Sequence, residues 1–170
     1  MSSLRFQVTD LLAHPGTSRM VSGTTQLRLQ VGESAVTGPA TVEARLESIL
    51  EGIMAGGEAV VESHHQCARC LREWQAQVVA PFRELFLTAA RADWPDDEQY
   101  SISADGYLDL EPLVHDEISL ALPPDPLCRP DCAGLCPICG ADLNTGLCAG
   151  HGDETRSPFA VLGHLFDPET

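Results

Sequence analysis

Seven cysteines, an odd number that cannot close into disulfides without a remainder, fall into two groups with metal-ligand spacing. The first is Cys67-Ala-Arg-Cys70. The second contains Cys128, Cys132, Cys136 and Cys139, followed by Cys148 nine residues later and by His151 three residues after that. Seven thiols and one imidazole make eight ligands, the number that two tetrahedral zinc ions require. The sequence therefore predicts two zinc ions, with a single ion as the lower alternative. Cys136-Pro-Ile-Cys139-Gly140 is the strongest local signal. Two cysteines separated by two residues wrap one metal, and the glycine tolerates the positive φ that aims backbone amides at sulfur.

The pairing of the eight ligands has two readings. In the first, Cys67 and Cys70 join Cys128 and Cys132, while Cys136, Cys139, Cys148 and His151 form a local site. In the second, the two C-x-x-C units share one four-cysteine ribbon, and Cys128, Cys132 and Cys148 are free or partly used. A redox role for Cys67-Ala-Arg-Cys70 requires a βαβ setting with the first thiol at a helix N-terminus, and the flanking residues instead read strand, turn, strand. His64 and His65 read as a surface pair at a strand end. His115 and His164 have no companion at metal spacing. The chain contains no H-E-x-x-H, no G-x-S-x-G and no phosphate-binding G-x-x-x-x-G-K-[ST]. A catalytic zinc keeps a position open for water, whereas thiolate-rich four-ligand sites are closed. No catalytic residue is predicted, and the chain reads as a scaffold or binding protein rather than an enzyme.

The elements that must position these ligands are mostly strands. Residues 4–9 alternate as a short strand before a turn at His14-Pro15-Gly16, and residues 26–31 alternate cleanly. Residues 41–50 and 59–65 read as further strands with Gly56-Gly57 as their turn. Cys67 and Cys70 then sit on the turn into a strand over 74–87, where a bend aims both thiolates at one point. Residues 107–110 form a short strand or entry segment. The next element is a helix with Glu111 and Pro112 in its first turn, Leu113, Val114, Glu117, Ile118 and Ala121 at helical spacing, and Pro123-Pro124 as its stop. A second helix is predicted from Ser157-Pro158, carrying Phe159, Leu162, Leu165 and Phe166. The predicted class is α+β: a mostly antiparallel β meander with one packed amphipathic helix, a zinc-stapled knuckle and a short C-terminal helix. The predicted division is 1–122 for the β-rich core and 123–170 for the knuckle segment and last helix.

The formal net charge is −15 over 170 residues, with no lysine and ten scattered arginines. Phosphate binding depends on a basic stripe, and none is visible, so tight direct RNA binding is not expected. A basic protein partner fits the charge better, and the acidic run Asp93, Asp96, Asp97 and Glu98 is a candidate docking surface. No stretch approaches the ~20 apolar residues that span a bilayer, and the first residues lack the apolar core of a signal peptide. The cytoplasm, a reducing compartment, is the expected location.

Beyond these readings, several stretches taken together resemble the YceD family, named for large ribosomal RNA subunit accumulation. They are Cys67-Ala-Arg-Cys70, Asp105-Gly-Tyr-Leu-Asp-Leu110, Glu117-Ile-Ser-Leu-Ala-Leu-Pro123, Cys132-Ala-Gly-Leu-Cys136-Pro-Ile-Cys139-Gly-Ala-Asp-Leu-Asn144 and Pro158-Phe-Ala-Val-Leu162. The resemblance is sharp over about residues 66–166 and weak before them. It implies a non-enzymatic factor needed for 23S rRNA accumulation in large-subunit assembly, and it supports joining Cys67 and Cys70 to Cys128 and Cys132. The expected partner is a basic ribosomal protein, or an rRNA-processing or assembly factor. Two alternatives stand beside it: a rubredoxin-like iron-thiolate electron-transfer module, because C-P-x-C-G also suits iron, and a zinc-dependent regulatory or chaperone module.

Overall fold

A computed structural model of the chain describes residues 4–88, 100–146, 148, 150 and 151. Four long strands form one antiparallel sheet in chain order: β2 (Ser18–Val31), β3 (Ser34–Ile49), β4 (Gly52–Gln66) and β5 (Glu73–Leu87). β1 (Arg5–Gln7) pairs antiparallel with β6 (Tyr107–Asp109) as a separate two-stranded ribbon. A one-turn helix, α1 (Thr9–Leu12), follows β1, and α2 (Glu111–Ala121) follows β6. Strands of 14 to 16 residues reach about 50 Å at ~3.4 Å per residue, so the meander is a long twisted ribbon rather than a compact barrel.

The strand pattern shows why the chain folds this way. Along β3, Ala40, Val42, Ala44, Leu46 and Ser48 are buried while Thr41, Glu43, Arg45 and Glu47 are exposed, a strict period of two. Ile53, Ala55, Ala59 and Val61 of β4 and Phe82 and Phe86 of β5 extend the same apolar face. Across it lies α2, which meets the two outer strands, β2 and β5, and buries Leu113, Val114 and Ile118. Just ahead of the helix the Glu111 amide donates to Asp109 Oδ1 at 3.0 Å. Leu122 turns extended at ψ 127° ahead of Pro123, as a residue before proline prefers, and ends the helix. Leu4, Val8, Leu108 and Leu110 close the core from the small ribbon.

Several expectations need correction. Gly56 and Gly57 do not form a turn. They lie inside β4, and the chain reverses at Leu50-Glu51 instead. Gly57 is a glycine for a packing reason: a Cβ there would come within 2.1 Å of the Glu43 carbonyl on the neighbouring strand. The strands also run longer than their apolar alternation suggested, with β2 beginning at Ser18. The first strand ends at Gln7, and Thr9–Leu12 form a short helix rather than continuing the strand into a loop. On α2, Ala121 is exposed and Glu117 half-buried, so the stripe is narrower than its spacing implied. The acidic run 93–98, His164 and the helix predicted from Ser157 lie outside the described residues.

Candidate metal centres

Both C-x-x-C units adopt the same turn. In the first, the Cys67 amide donates to the Arg72 carbonyl at 2.8 Å and the Leu71 amide donates to the Cys67 carbonyl at 2.9 Å. In the second, the Cys136 amide donates to Ala141 at 2.8 Å and Gly140 donates to Cys136 at 2.9 Å. The residue after the second cysteine is left-handed in each, with φ 58° at Leu71 and 69° at Gly140. Glycine accepts that conformation freely, whereas leucine pays roughly 1–2 kcal/mol for it. The strain at Leu71 shows that the first turn is imposed by its surroundings and not by its own residues. With leucine at 71, no glycine marks that equivalence in the residues themselves.

Tertiary packing sorts the eight side chains into two clusters. Cys67, Cys70, Cys128 and Cys132 present their sulfurs within 4.8 Å of one another, and so do the ligand atoms of Cys136, Cys139, Cys148 and His151. The ribbon pairing of Cys67 and Cys70 with Cys136 and Cys139 is not the arrangement adopted. Separations within the first cluster include 3.8 Å for Cys67 Sγ to Cys132 Sγ and 3.6 Å for Cys70 Sγ to Cys128 Sγ. In the second, Cys139 Sγ lies 3.9 Å from Cys148 Sγ, and Cys148 Sγ lies 3.4 Å from His151 Nε2. Disulfide sulfurs would be ~2.05 Å apart. Tetrahedral zinc at about 2.3 Å from sulfur and 2.0–2.1 Å from nitrogen puts the ligand atoms ~3.8 Å and ~3.6 Å apart, so the donor sets fit the ion in type and spacing.

Four thiols so close cannot all ionise without a cation. Burial pushes the Cys128 thiol up to about 12, helped by Cys70, Cys132 and Cys67. Burial acts in the same direction on Cys67, but backbone hydrogen bonds at Cys128, Cys70 and Arg69 outweigh it and bring that thiol down to about 6. Backbone hydrogen bonds at Cys139 and Ile138 likewise bring Cys136 to about 6. A dication would resolve this split, because it stabilises every thiolate it touches.

The first cluster is the buried one. Cys67 and Cys132 are fully enclosed, whereas Cys139 and His151 of the second are exposed. Two long-range connections build it. Its upstream half comes from the β4–β5 turn, and its downstream half from the segment that leaves α2. Arg69 joins the halves by donating from Nη1 to the Cys132 carbonyl at 2.8 Å, while its own carbonyl accepts from the Leu135 amide at 3.0 Å.

Asn144 is the functional candidate that residue-by-residue reading left without a role. It belongs to the knuckle of the second cluster yet serves the first. Its Nδ2 donates to Cys132 Sγ at 3.6 Å and to Asp142 Oδ1 at 2.6 Å. Its Oδ1 accepts from the Ala133 amide at 2.9 Å and from Arg129 Nη2 at 2.6 Å. The side-chain and backbone amides of Asn144, both donating to Asp142, hold that carboxyl below the usual carboxylate range, with Arg72 and Arg129 adding to the effect. Outer-shell partners of metal ligands typically change metal affinity 10–100-fold when removed. Asn144→Ala is therefore expected to weaken zinc at the first centre by roughly tenfold or more in chelator competition, with the fold retained. Unchanged chelator resistance would remove Asn144 from the site.

His65 is a different case from the surface pair expected. It is buried, with Nδ1 2.8 Å from Ser34 Oγ and Nε2 2.7 Å from Ser63 Oγ, and burial, with His64, lowers its pKa. Ser34 Oγ also donates to the Pro123 carbonyl, so the histidine ties β3 and β4 to the end of α2. His64 is exposed as expected, and neither histidine belongs to a cluster.

Residues 55–166 match the family model described as "Large ribosomal RNA subunit accumulation protein YceD", a range that contains all eight candidate ligands. An uncharacterized protein of Mycobacterium tuberculosis (strain ATCC 25618 / H37Rv) is 34% identical over 132 residues, covering 76% of this chain. That match spans 63% of the relative's own length, less than two thirds of it. An uncharacterized protein of Mycobacterium leprae (strain TN) is 29% identical over 176 aligned positions, covering 99% of this chain and 80% of the relative. The "Large ribosomal RNA subunit accumulation protein YCED homolog 1, chloroplastic" of Zea mays is 43% identical over 53 residues, 31% of this chain and 18% of that protein. No solved structure matches the chain.

Proposed function

We propose, from the premise that this chain belongs to the YceD family, that it is a non-enzymatic zinc-stabilised factor in accumulation of large-subunit ribosomal RNA. The observation that carries the reading is the family match over residues 55–166, which takes in both ligand clusters and α2. In each cluster four protein ligands complete a tetrahedral shell, so zinc there would hold structure and leave no position for water or substrate. The first centre would fasten α2 and the β4–β5 turn together, and the second would order the local knuckle.

A factor of net charge −15 works through a basic partner better than through phosphate. The partner proposed is a basic ribosomal protein, or an rRNA-processing or assembly factor, met in the cytoplasm. Among the described residues no helix is long and apolar enough to cross a membrane. The test is a deletion strain complemented with the intact gene or with Cys67→Ser. A fall in 23S relative to 16S rRNA that only the intact gene restores is the expected result. An unaltered ratio would overturn the assignment.

Metal content separates this reading from iron-thiolate electron transfer. Protein purified under reducing conditions without chelator is expected to carry two zinc ions per chain and to be colourless, because the eight ligands form two closed sets. Elemental analysis giving one metal or fewer would overturn the two-centre assignment, and a red iron-thiolate protein would replace it.

A further inference from the structure

We infer that the second centre is an oxidation site, at which hydrogen peroxide joins Cys139 and Cys148 as a disulfide and so empties that centre alone. The inference rests on the two-centre reading above and concerns what the exposed ligand set does when an oxidant reaches it. The two clusters share their chemistry and spacing and differ in access. Sulfur separations of 3.6 and 3.8 Å in the first resemble the 3.9 Å between Cys139 and Cys148 in the second. Oxidation to a disulfide needs an accessible thiolate as well as a neighbour. Cys67 and Cys132 are fully buried, whereas Cys139 is exposed and Cys148 half-buried. A dissolved peroxide therefore meets Cys139 first. Cys136 is buried and stands outside the exchange.

Backbone freedom points the same way. Disulfide sulfurs are ~2.05 Å apart, so Cys139 and Cys148 must close by ~1.9 Å from their present 3.9 Å. Gly146 and Gly150 stand two residues to either side of Cys148, at φ 71° and 85°, with nothing within 4 Å of where a Cβ would lie. The chain can re-bend there without meeting a neighbour. Around the first cluster it is held. Arg69 grips the Cys132 carbonyl through Nη1 at 2.8 Å and accepts the Leu135 amide at 3.0 Å. A Cβ on Gly134, between those two contacts, would already lie 3.0 Å from the Arg69 carbonyl. Equal sulfur spacing therefore leads to a cross-link only in the second cluster.

One peroxide balances one disulfide. The Cys139 thiolate attacks a peroxide oxygen, the O–O bond breaks, hydroxide leaves and the sulfur becomes a sulfenic acid. The Cys148 thiolate then attacks that sulfur, the S–S bond forms and the sulfenic oxygen departs as a second hydroxide. The two thiolates lose two electrons in total, and the peroxide gains them. Cys136 and His151 are the ligands left, too few to close a tetrahedral site, so the centre releases its ion. The first centre keeps its contact to Asn144, because that residue's turn is pinned by its own amide donating to Asp142 Oδ1 at 2.9 Å.

The test treats the zinc-loaded full chain with excess hydrogen peroxide, follows released zinc with a chromogenic chelator and maps disulfides by mass spectrometry. Expected are loss of one of the two zinc ions, a Cys139–Cys148 cross-link, and Cys67, Cys70, Cys128 and Cys132 recovered as free thiols. Dithiothreitol with added zinc should restore the lost ion. Cys148→Ser removes the second thiol and should stop at a sulfenic acid on Cys139, trapped by dimedone. Cys136→Ser removes a ligand but not the pair and should still cross-link. Simultaneous release of both ions, a disulfide in the first cluster or between Cys136 and Cys139, a disulfide-linked dimer, or no oxidation at all would overturn the proposal. The two readings fail separately, because zinc is counted before the peroxide is added. A chain that starts with a single ion overturns the two-centre reading, and the presence or absence of its Cys139–Cys148 cross-link still decides the oxidation site.

Discussion

Cys67→Ser is expected to lower the melting temperature by roughly 10–20 °C, and Cys148→Ser by only a few degrees. Cys67 is fully buried, and its cluster ties the β4–β5 turn to a segment about 60 residues away in sequence, since Cys67 and Cys132 are separated by 65 positions. Structural zinc carries on the order of 10 kcal/mol of apparent folding free energy in small domains. Losing half of that, about 5 kcal/mol, shifts the midpoint by the stated amount at ~2–4 °C per kcal/mol for a chain of this size. The second cluster spans a short loop, and three of its ligands, Cys139, Cys148 and His151, are exposed or half-exposed, so its loss frees little of the core. Thermal melts of both variants, with zinc measured on the same samples, decide the matter. Equal losses would contradict the division of labour between the two centres.

Gly32→Ala is expected to lower the melting temperature by roughly 4–20 °C and to weaken zinc at the first centre, although Gly32 touches no ligand. It sits in the β2–β3 turn at φ 53°, where an L side chain is strained by about 1–2 kcal/mol. A Cβ there would also lie 2.0 Å from the Pro124 carbonyl oxygen, which accepts from the Glu33 amide at 3.2 Å. Relieving that clash must push the Pro124 segment away, and overpacking of this kind costs a further ~1–3 kcal/mol. Pro124 lies four residues before Cys128, so the displacement reaches the ligand set. Gly16→Ala is the control, because Gly16 has φ 88° but nothing within 4 Å of the added carbon. The two variants share the backbone strain, and the difference between them measures the Pro124 contact. If they lose stability equally and keep the same zinc affinity, the β2–β3 turn does not support the first centre.

The segments that supply the two cysteine clusters were legible because their signals are local. Two cysteines three positions apart can meet one ion by a single turn, and Pro137 and Gly140 mark that turn in the second unit. The α2 boundaries were equally plain, since Pro112 fits a first helical turn and Pro123-Pro124 ends one. The β4 turn was misplaced for an instructive reason. Two glycines in a row normally mark a reversal, but Gly57 answers to the crowding of a neighbouring strand, and no local rule records which strand that is. His65 misled in the same way: its sequence neighbours are polar, and its burial comes from Ser34 and the end of α2, 31 and more positions distant.

By itself the sequence determined which donor side chains are available, the two C-x-x-C units and the alternation that makes a long antiparallel sheet, because each depends on residue type and short spacing. Only the tertiary structure decided which thiols share a cluster, which cluster is buried, and that Asn144 of one knuckle serves the other. Those outcomes depend on long-range packing, in which β-strand register and the return of the chain after α2 bring distant residues within a few ångströms. Such proximity is a sum over the whole core, and no window of the sequence contains it.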